Sequence, residues 1–204
     1  MIIFFVVISF LLMSLGSSWI DYLYKTPLAP LSFPDEIESR SRFRKIFLMI
    51  AIFICLSRLA EMPVLQMIYA TIAAFFLLLI TITDFEQYVI FDKMIVPFIV
   101  IGLLSIFQLH LSIINHLIAA FVGGFIFFVL ATISNGALGG GDIKLIFVLG
   151  LWFGTSKLFS IVTTGAILGG IAALIMIITS QKDRQDVFAY GPYFCLSAIY
   201  FLLN

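Results

Sequence analysis

Hydrophobic residues run along this chain in long blocks rather than in strict alternation. The blocks fall near 1–20, 46–57, 64–83, 94–109, 112–134, 145–156, 158–180 and 188–203, and most charges sit in the breaks between them. A helix needs about 20 mostly apolar residues to cross a bilayer, so blocks of this kind predict spans. Those at 46–57 and 145–156 are short enough to be re-entrant or buried inside a bundle. The pattern predicts an all-α fold: a polytopic transmembrane helix bundle of about eight spans, forming a single integral-membrane domain over 1–204. No Lys or Arg precedes the first block, which predicts a retained span rather than a cleaved signal peptide. No sizeable soluble domain is expected at either end.

Composition agrees with this reading. Of 204 residues, 63% are hydrophobic and only 11% charged, more apolar surface than a soluble domain of this size can hide. Charge then sets an orientation. With the N-terminus outside, the inner loops hold Lys25, Arg40, Arg42, Arg44, Lys45, Lys93, Lys144, Lys182 and Arg184, and the outer loops keep only Arg58 and Lys157. Positive charge favours the cytoplasmic side, so this multi-pass arrangement is expected to sit in a lipid bilayer with its N-terminus outside. The 21–45 loop is the only long polar segment, and Pro27, Pro30 and Pro34 make it irregular. The formal net charge is zero, so no nucleic-acid partner is expected. Cys55 and Cys195 lie far apart in apolar blocks with no CxxC spacing, so neither zinc nor a disulfide framework is expected. The four-residue glycine spacings at Gly150/Gly154 and Gly165/Gly169 predict close helix packing.

Most of the acidic residues lie in the 21–45 loop or in the polar turn at 181–187, where they read as solvated charges. Four others flank spans on the inner side: Asp84, Glu86, Asp92 and Asp142. A carboxylate at a span end is costly without a partner or a task. Asp142 ends the run Gly139-Gly140-Gly141 and opens an apolar block, so its plainest reading is a helix N-cap. Three glycines are not needed for a cap, however. They also clear side chains from beside the carboxylate and would let a peptide lie against it. Asp84 is the natural second group: the two intervening spans carry the chain out and back, which leaves both carboxylates on the inner side. Asp92 competes for that place, lying about 80° around from Asp84 if the helix is continuous, which allows it to face either the site or water. Glu86 reads as a surface charge. Two carboxylates close together in a low-dielectric site cannot both ionise easily. The charged member can then activate water while the protonated one donates to a carbonyl oxygen, which is acid–base amide hydrolysis. The pair would titrate as a unit. Histidine-based triads and metal clusters are disfavoured, because His110 and His116 fall on the outer side.

The stretch "GALGGGDIKLIFVLGLWFGT" resembles the GxGD region of the type IV prepilin peptidases, bacterial aspartic proteases that cut leaders from pilins and pseudopilins. "TDFEQYVIFDKMIVP" is similar to that family's first aspartate motif, including a second Asp eight residues later, and "AYGPYF" at 189–194 is similar to its late Phe-Gly-Pro stretch. The three motifs stand in the family's order and cover the chain from about residue 70 onward. The resemblance implies that Asp84 and Asp142 are the catalytic pair and that Gly139 and Gly141 shape the substrate-binding groove. It implies, as partners, prepilin or pseudopilin precursors with a short basic leader before a hydrophobic helix, cut at the cytoplasmic face. It also implies no cofactor for proteolysis.

The chain departs from the family's pattern in two places. Phe91 stands where the family often has proline. Many long members carry a cytoplasmic zinc domain with paired CxxC motifs, whereas the 21–45 loop here is short and has no cysteine, so no zinc-binding insertion is expected. Bifunctional members also methylate the new N-terminus. With this region reduced, methyltransferase activity is not expected, and S-adenosylmethionine would be needed only if that activity were retained.

Two other classes compete. Preflagellin or signal-peptide-peptidase relatives share the GxGD motif, but the latter show Tyr-Asp and a Pro-Ala-Leu motif where this chain has Thr83-Asp84 and Gly191-Pro192-Tyr193. A proton-linked transporter would be expected to hold ionisable groups near mid-membrane and to contain internal repeats. Here the carboxylates sit at span ends and no repeat is visible.

Overall fold

The computed structural model describes residues 2–26, 29–133, 139–179 and 188–204. Pro27, the Gly136–Leu138 part of the glycine-rich stretch and the polar turn at 181–187 with Lys182 and Arg184 lie outside the described residues. Among the described residues every regular element is helical. Helix α1 spans Ile2–Tyr24. A single 3-10 turn at Pro34–Glu36 and the short α2 at Ile37–Arg40 lead to α3 at Arg44–Leu59. Then come α4 (Val64–Gln87), α5 (Asp92–Gln108), α6 (Ile113–Ile133), α7 (Gly140–Ile178) and α8 (Gly191–Leu203).

Helices α1, α4, α6 and α7 are long and apolar enough to cross a membrane, and the chain is a multi-pass membrane protein. Large apolar side chains such as Phe4, Phe125, Phe128, Phe159 and Ile178 lie exposed on its outer surface. In water such a surface would aggregate; it suits a hydrocarbon surround. Helix α4 is the most enclosed of the four, with buried residues from Tyr69 to Gln87. It packs on α3 and α8, and α7 packs on α5, α6 and α8.

The sixth and seventh apolar blocks are the two arms of α7. The sequence places their break near Lys157, but the backbone reverses at Gly154, whose φ of 69° and ψ of 179° are not helical. A positive φ is open to glycine at little cost. Neighbours on the reversal tie it down: Thr155 donates its hydroxyl to Asn115 at 2.6 Å, and His116 Nδ1 lies 2.8 Å from the Leu151 carbonyl oxygen. The arms lie side by side, since a methyl group at Gly123 would meet Leu158 at 2.8 Å and Ile146 at 3.3 Å. Gly154 thus both turns the chain and packs closely, since a Cβ there would lie 2.6 Å from Asn115 of α6.

Gly150, Gly165 and Gly169 also serve packing. A Cβ on Gly165 would lie 2.5 Å from Phe194, and one on Gly169 would lie 2.8 Å from Tyr190, so the second arm runs flush against α8. At Gly150 the obstacle is backbone: a Cβ would sit 2.5 Å from Ala119 and Ala120 of α6. Small residues let helices approach closely in lipid, where dispersion rather than water exclusion drives association. Gly150→Ala should therefore cost about 1–3 kcal/mol through overpacking. Thermal unfolding in detergent should show a lower midpoint for it than for Gly170→Ala, where no atom lies within 4 Å.

Candidate functional site

The last turn of α4 carries Asp84, and its polar side chains are buried although they close an apolar helix. Asp84 is 6% exposed, Glu86 6% and Gln87 0%. The helix ends at Tyr88, which takes the left-handed conformation (φ 52°) and returns its N–H to the Asp84 carbonyl oxygen. The chain then turns through Val89, Ile90 and Phe91 into α5.

Asp142 is reached from the other direction. The cap of α7 is Gly139, with extended φ and ψ, so Asp142 is the third residue of the helix and not its N-cap as the sequence suggests. Its carboxylate instead reaches back to accept the Gly139 backbone N–H. This is the return arm of a capping box, with aspartate in the role usually taken by glutamate. The correction has a physical cause. Glycine satisfies the extended cap geometry without a side chain, which frees the aspartate one turn later to point along the helix end.

The two carboxylates lie near one another across these helix ends. Asp84 and Asp142 lie close enough for their charges to interact, and Asp84 accepts the backbone N–H of Gly191 at the start of α8. Gly191 is tightly fitted: a Cβ there would fall 2.5 Å from Asp84 Oδ2 and 3.2 Å from Ile90 Cδ1. Ile90 also faces the first turn of α7, since a Cβ on Gly141 would meet it at 3.2 Å. One side chain thus wedges the starts of α7 and α8 against the turn after α4. Behind the carboxylates, the fully buried thiol of Cys195 interacts with both of them and bonds to Thr81, one turn before Asp84.

The four glycines around the site differ in surroundings. Gly139 is exposed, and a Cβ there would meet Asp142 Oδ2 at 3.5 Å and the Gly141 nitrogen at 4.0 Å, both ordinary distances; Gly140 has open space. Gly141 faces Ile90 and Gly191 faces Asp84. The open side of the pair therefore lies along Gly139 and Gly140.

Two other acidic residues take no part in this pair. Asp92 does not continue the Asp84 helix, because α4 stops at Gln87; it starts α5 and pairs with Lys144 at 2.6 Å in an exposed bridge, with side chains 67% and 51% accessible. Such a surface pair is worth about 0–1 kcal/mol. Glu86 is not a surface charge: it is enclosed by Arg44, which donates from Nε at 2.9 Å, and by the Tyr24 hydroxyl at 3.0 Å. A single charged residue at a span end carries no mark of which way it faces, so the sequence gives no sign of this pairing. Ile90 and Cys195 were likewise unreadable as neighbours of the aspartates. Gly191 lies within the quoted "AYGPYF" stretch, but nothing in that stretch tells which group it meets. His110, in the turn after α5, and His116, in the first turn of α6, stand away from the carboxylates. Among the described residues no three His, Cys, Asp or Glu side chains gather in a way that could hold a metal ion.

Comparison with known proteins bears on the same residues. The profile of the type IV leader peptidase family matches residues 71–174, a stretch that contains both Asp84 and Asp142. The chain is 27% identical over 138 residues to a prepilin leader peptidase/N-methyltransferase of Pectobacterium carotovorum subsp. carotovorum, covering 64% of this chain and 49% of that protein. It is 30% identical over 125 residues to a prepilin leader peptidase/N-methyltransferase of Neisseria gonorrhoeae, covering 57% of this chain and 42% of that protein. The chain thus spans about half the length of the curated relatives it matches. No solved structure matches it.

The tight fit at Gly191 has a direct consequence. Gly191→Ala should push the Asp84 carboxylate off the α8 N–H rather than unfold the bundle, since the obstructing atom is a movable side chain. Amide hydrogen exchange should quicken in the last turn of α4 and the first turn of α8, while Gly140→Ala, with open space around it, should leave both unchanged.

Proposed function

The chain belongs to the type IV leader peptidase family, and from that premise we propose that it is a membrane aspartic endopeptidase. Its proposed substrates are type IV prepilins or pseudopilins, cut between a short basic leader and the hydrophobic helix that follows. The observation that carries this reading is the convergence of Asp84 and Asp142, from separate helix ends, into one interacting pair.

The chemistry follows from that pair. One carboxylate is ionised and takes a proton from water; the other is protonated and donates to the oxygen of the scissile carbonyl. The water oxygen bonds to the carbonyl carbon, the C–N bond breaks, and the proton passes to the departing amine. Neither role is assigned to one residue, because the protons belong to the pair. Gly139 and Gly141 are the proposed substrate-binding positions, with the exposed edge at Gly139 offering backbone for an extended peptide to lie against. Proteolysis by this route uses no cofactor.

The proposed setting is the bacterial inner membrane, with about eight spans, the N-terminus outside and the aspartate pair at the cytoplasmic face. The positions of Lys and Arg support that orientation. Residues 1–204 are read as one integral-membrane domain in which 21–45 is a short cytoplasmic loop without a zinc-binding insertion. Methyl transfer from S-adenosylmethionine is not part of the proposal.

Co-expression with a pilin-type precursor tests the reading. Asp84→Asn and Asp142→Asn should each remove cleavage, with a loss of at least about 10³-fold, the scale on which groups acting as one catalytic unit fail together. Cleavage that stays near the unsubstituted rate in either variant removes the pair from the mechanism. The mass of the mature N-terminus, read in the same experiment, should lack the added methyl group.

A further inference from the structure

Asp84, Glu86 and Gln87 share one turn of helix, and at 100° per residue they point in three different directions. Asp84 faces α7 and α8. Glu86 faces α1 and α3, where Arg44 donates to it from two nitrogens and also reaches Asp21, while the Tyr24 hydroxyl adds a further bond. Gln87 faces the loop between α1 and α3: its side chain accepts the Phe33 N–H at 2.9 Å and donates to the Phe33 carbonyl oxygen at 3.0 Å.

The same loop closes the end of the helix. The last carbonyls of an α-helix have no partner within it. Here the Ser32 N–H donates to the Gln87 carbonyl oxygen at 3.3 Å, and Arg40 donates to that of Glu86 at 3.4 Å. The Arg40 guanidinium also stacks 3.6 Å over the Phe33 ring, which itself meets Tyr88 edge-on.

We propose that Arg44, Glu86 and Gln87 are positioning residues, and that α1, α3 and the loop between them form a buttress fixing the rotation of the Asp84 turn. This rests on the reading of Asp84 as half of a catalytic pair. A buried ion pair adds little net stability over well-packed apolar residues of the same volume. It does have a direction, however, and apolar packing does not. Arg44 presents a planar fork to one carboxylate, so the turn can hold only one rotational setting without breaking those bonds. Gln87 adds a second anchor on another side of the same turn. Two anchors on different faces determine where the third side chain, Asp84, points.

The test uses the full chain, purified in detergent, with Arg44→Ala, Arg44→Lys, Glu86→Gln and Gln87→Leu. Each variant is measured for kcat and KM on a pilin-type precursor, for thermal midpoint, and for amide exchange over residues 82–88. Misplacing a catalytic group by about 1 Å costs on the order of 10²-fold in rate, so Arg44→Ala should lose about that much in kcat. KM should hold within about twofold, as expected when only transition-state stabilisation is lost. Glu86→Gln and Gln87→Leu should show the same split more mildly, and Arg44→Lys should recover part of the rate. Exchange over 82–88 should quicken while that at the α6–α7 contact stays unchanged. A lower thermal midpoint with unchanged kcat per folded molecule would show that these residues only stabilise the fold, and would overturn the proposal. If the wild-type chain cleaves no precursor, the functional reading fails on its own, and exchange still decides the buttress: unchanged exchange in both Arg44→Ala and Glu86→Gln overturns it.

Discussion

A carboxylate held inside an apolar bundle needs N–H groups to bond, and in such a bundle helix starts are the ready source of free ones. That requirement organises this protein. Asp142 lies at the start of α7 and accepts an N–H from its own cap, Gly139. Asp84 has no such recourse. It sits at the C-terminal end of α4, where its own helix presents carbonyl oxygens and the negative end of the dipole. Its donor comes from another element, Gly191 at the start of α8. Three helix ends must therefore meet at one point, and Gly191 must lack a side chain for α8 to come near enough.

Much of the surrounding architecture follows from bringing those ends together. The reversal at Gly154 returns the second arm of α7 along α8, where Gly165 and Gly169 make room for Phe194 and Tyr190. The first arm leans on α6 through Gly150, which fixes the start of α7 and Asp142 with it. On the other side of α4, the Arg44–Glu86 pair and the Phe33–Gln87 bonds hold the turn that carries Asp84. The family match begins at residue 71, so Arg44 and the 29–33 loop lie outside it while bonding to residues within it. The less familiar part of the chain is physically joined to the familiar part at the turn beside the site.

Sequence alone reveals the helical class, the segment order and the two aspartates, because each leaves a local trace. Apolar blocks of span length mark helices, and an even number of spans between two residues puts both on one side of the membrane. Other features left no such trace. Glu86 is buried because Arg44, 42 residues away, happens to face it, and nothing near Glu86 in the chain encodes that. Asp92 looks like a partner to Asp84 only if the helix continues, and the left-handed turn at Tyr88 ends it. Asp is the strong N-cap former in the sequence before α7, yet the extended Gly139 takes that place and leaves Asp142 free to turn toward Asp84. The apolar pattern places the break in α7 at the charged Lys157, whereas backbone geometry puts it at Gly154.

The central claim is that Asp84 and Asp142 act as one unit. Comparing the cleavage rate of the doubly substituted Asp84→Asn/Asp142→Asn protein with both single variants, under long incubation with a pilin-type precursor, tests this most directly. Groups that share a proton and a transition state fail together, so the double variant should be no slower than the slower single one. Losses that multiply, with each single variant retaining measurable cleavage and the double variant falling to their product, would mean two independent groups and would contradict the account.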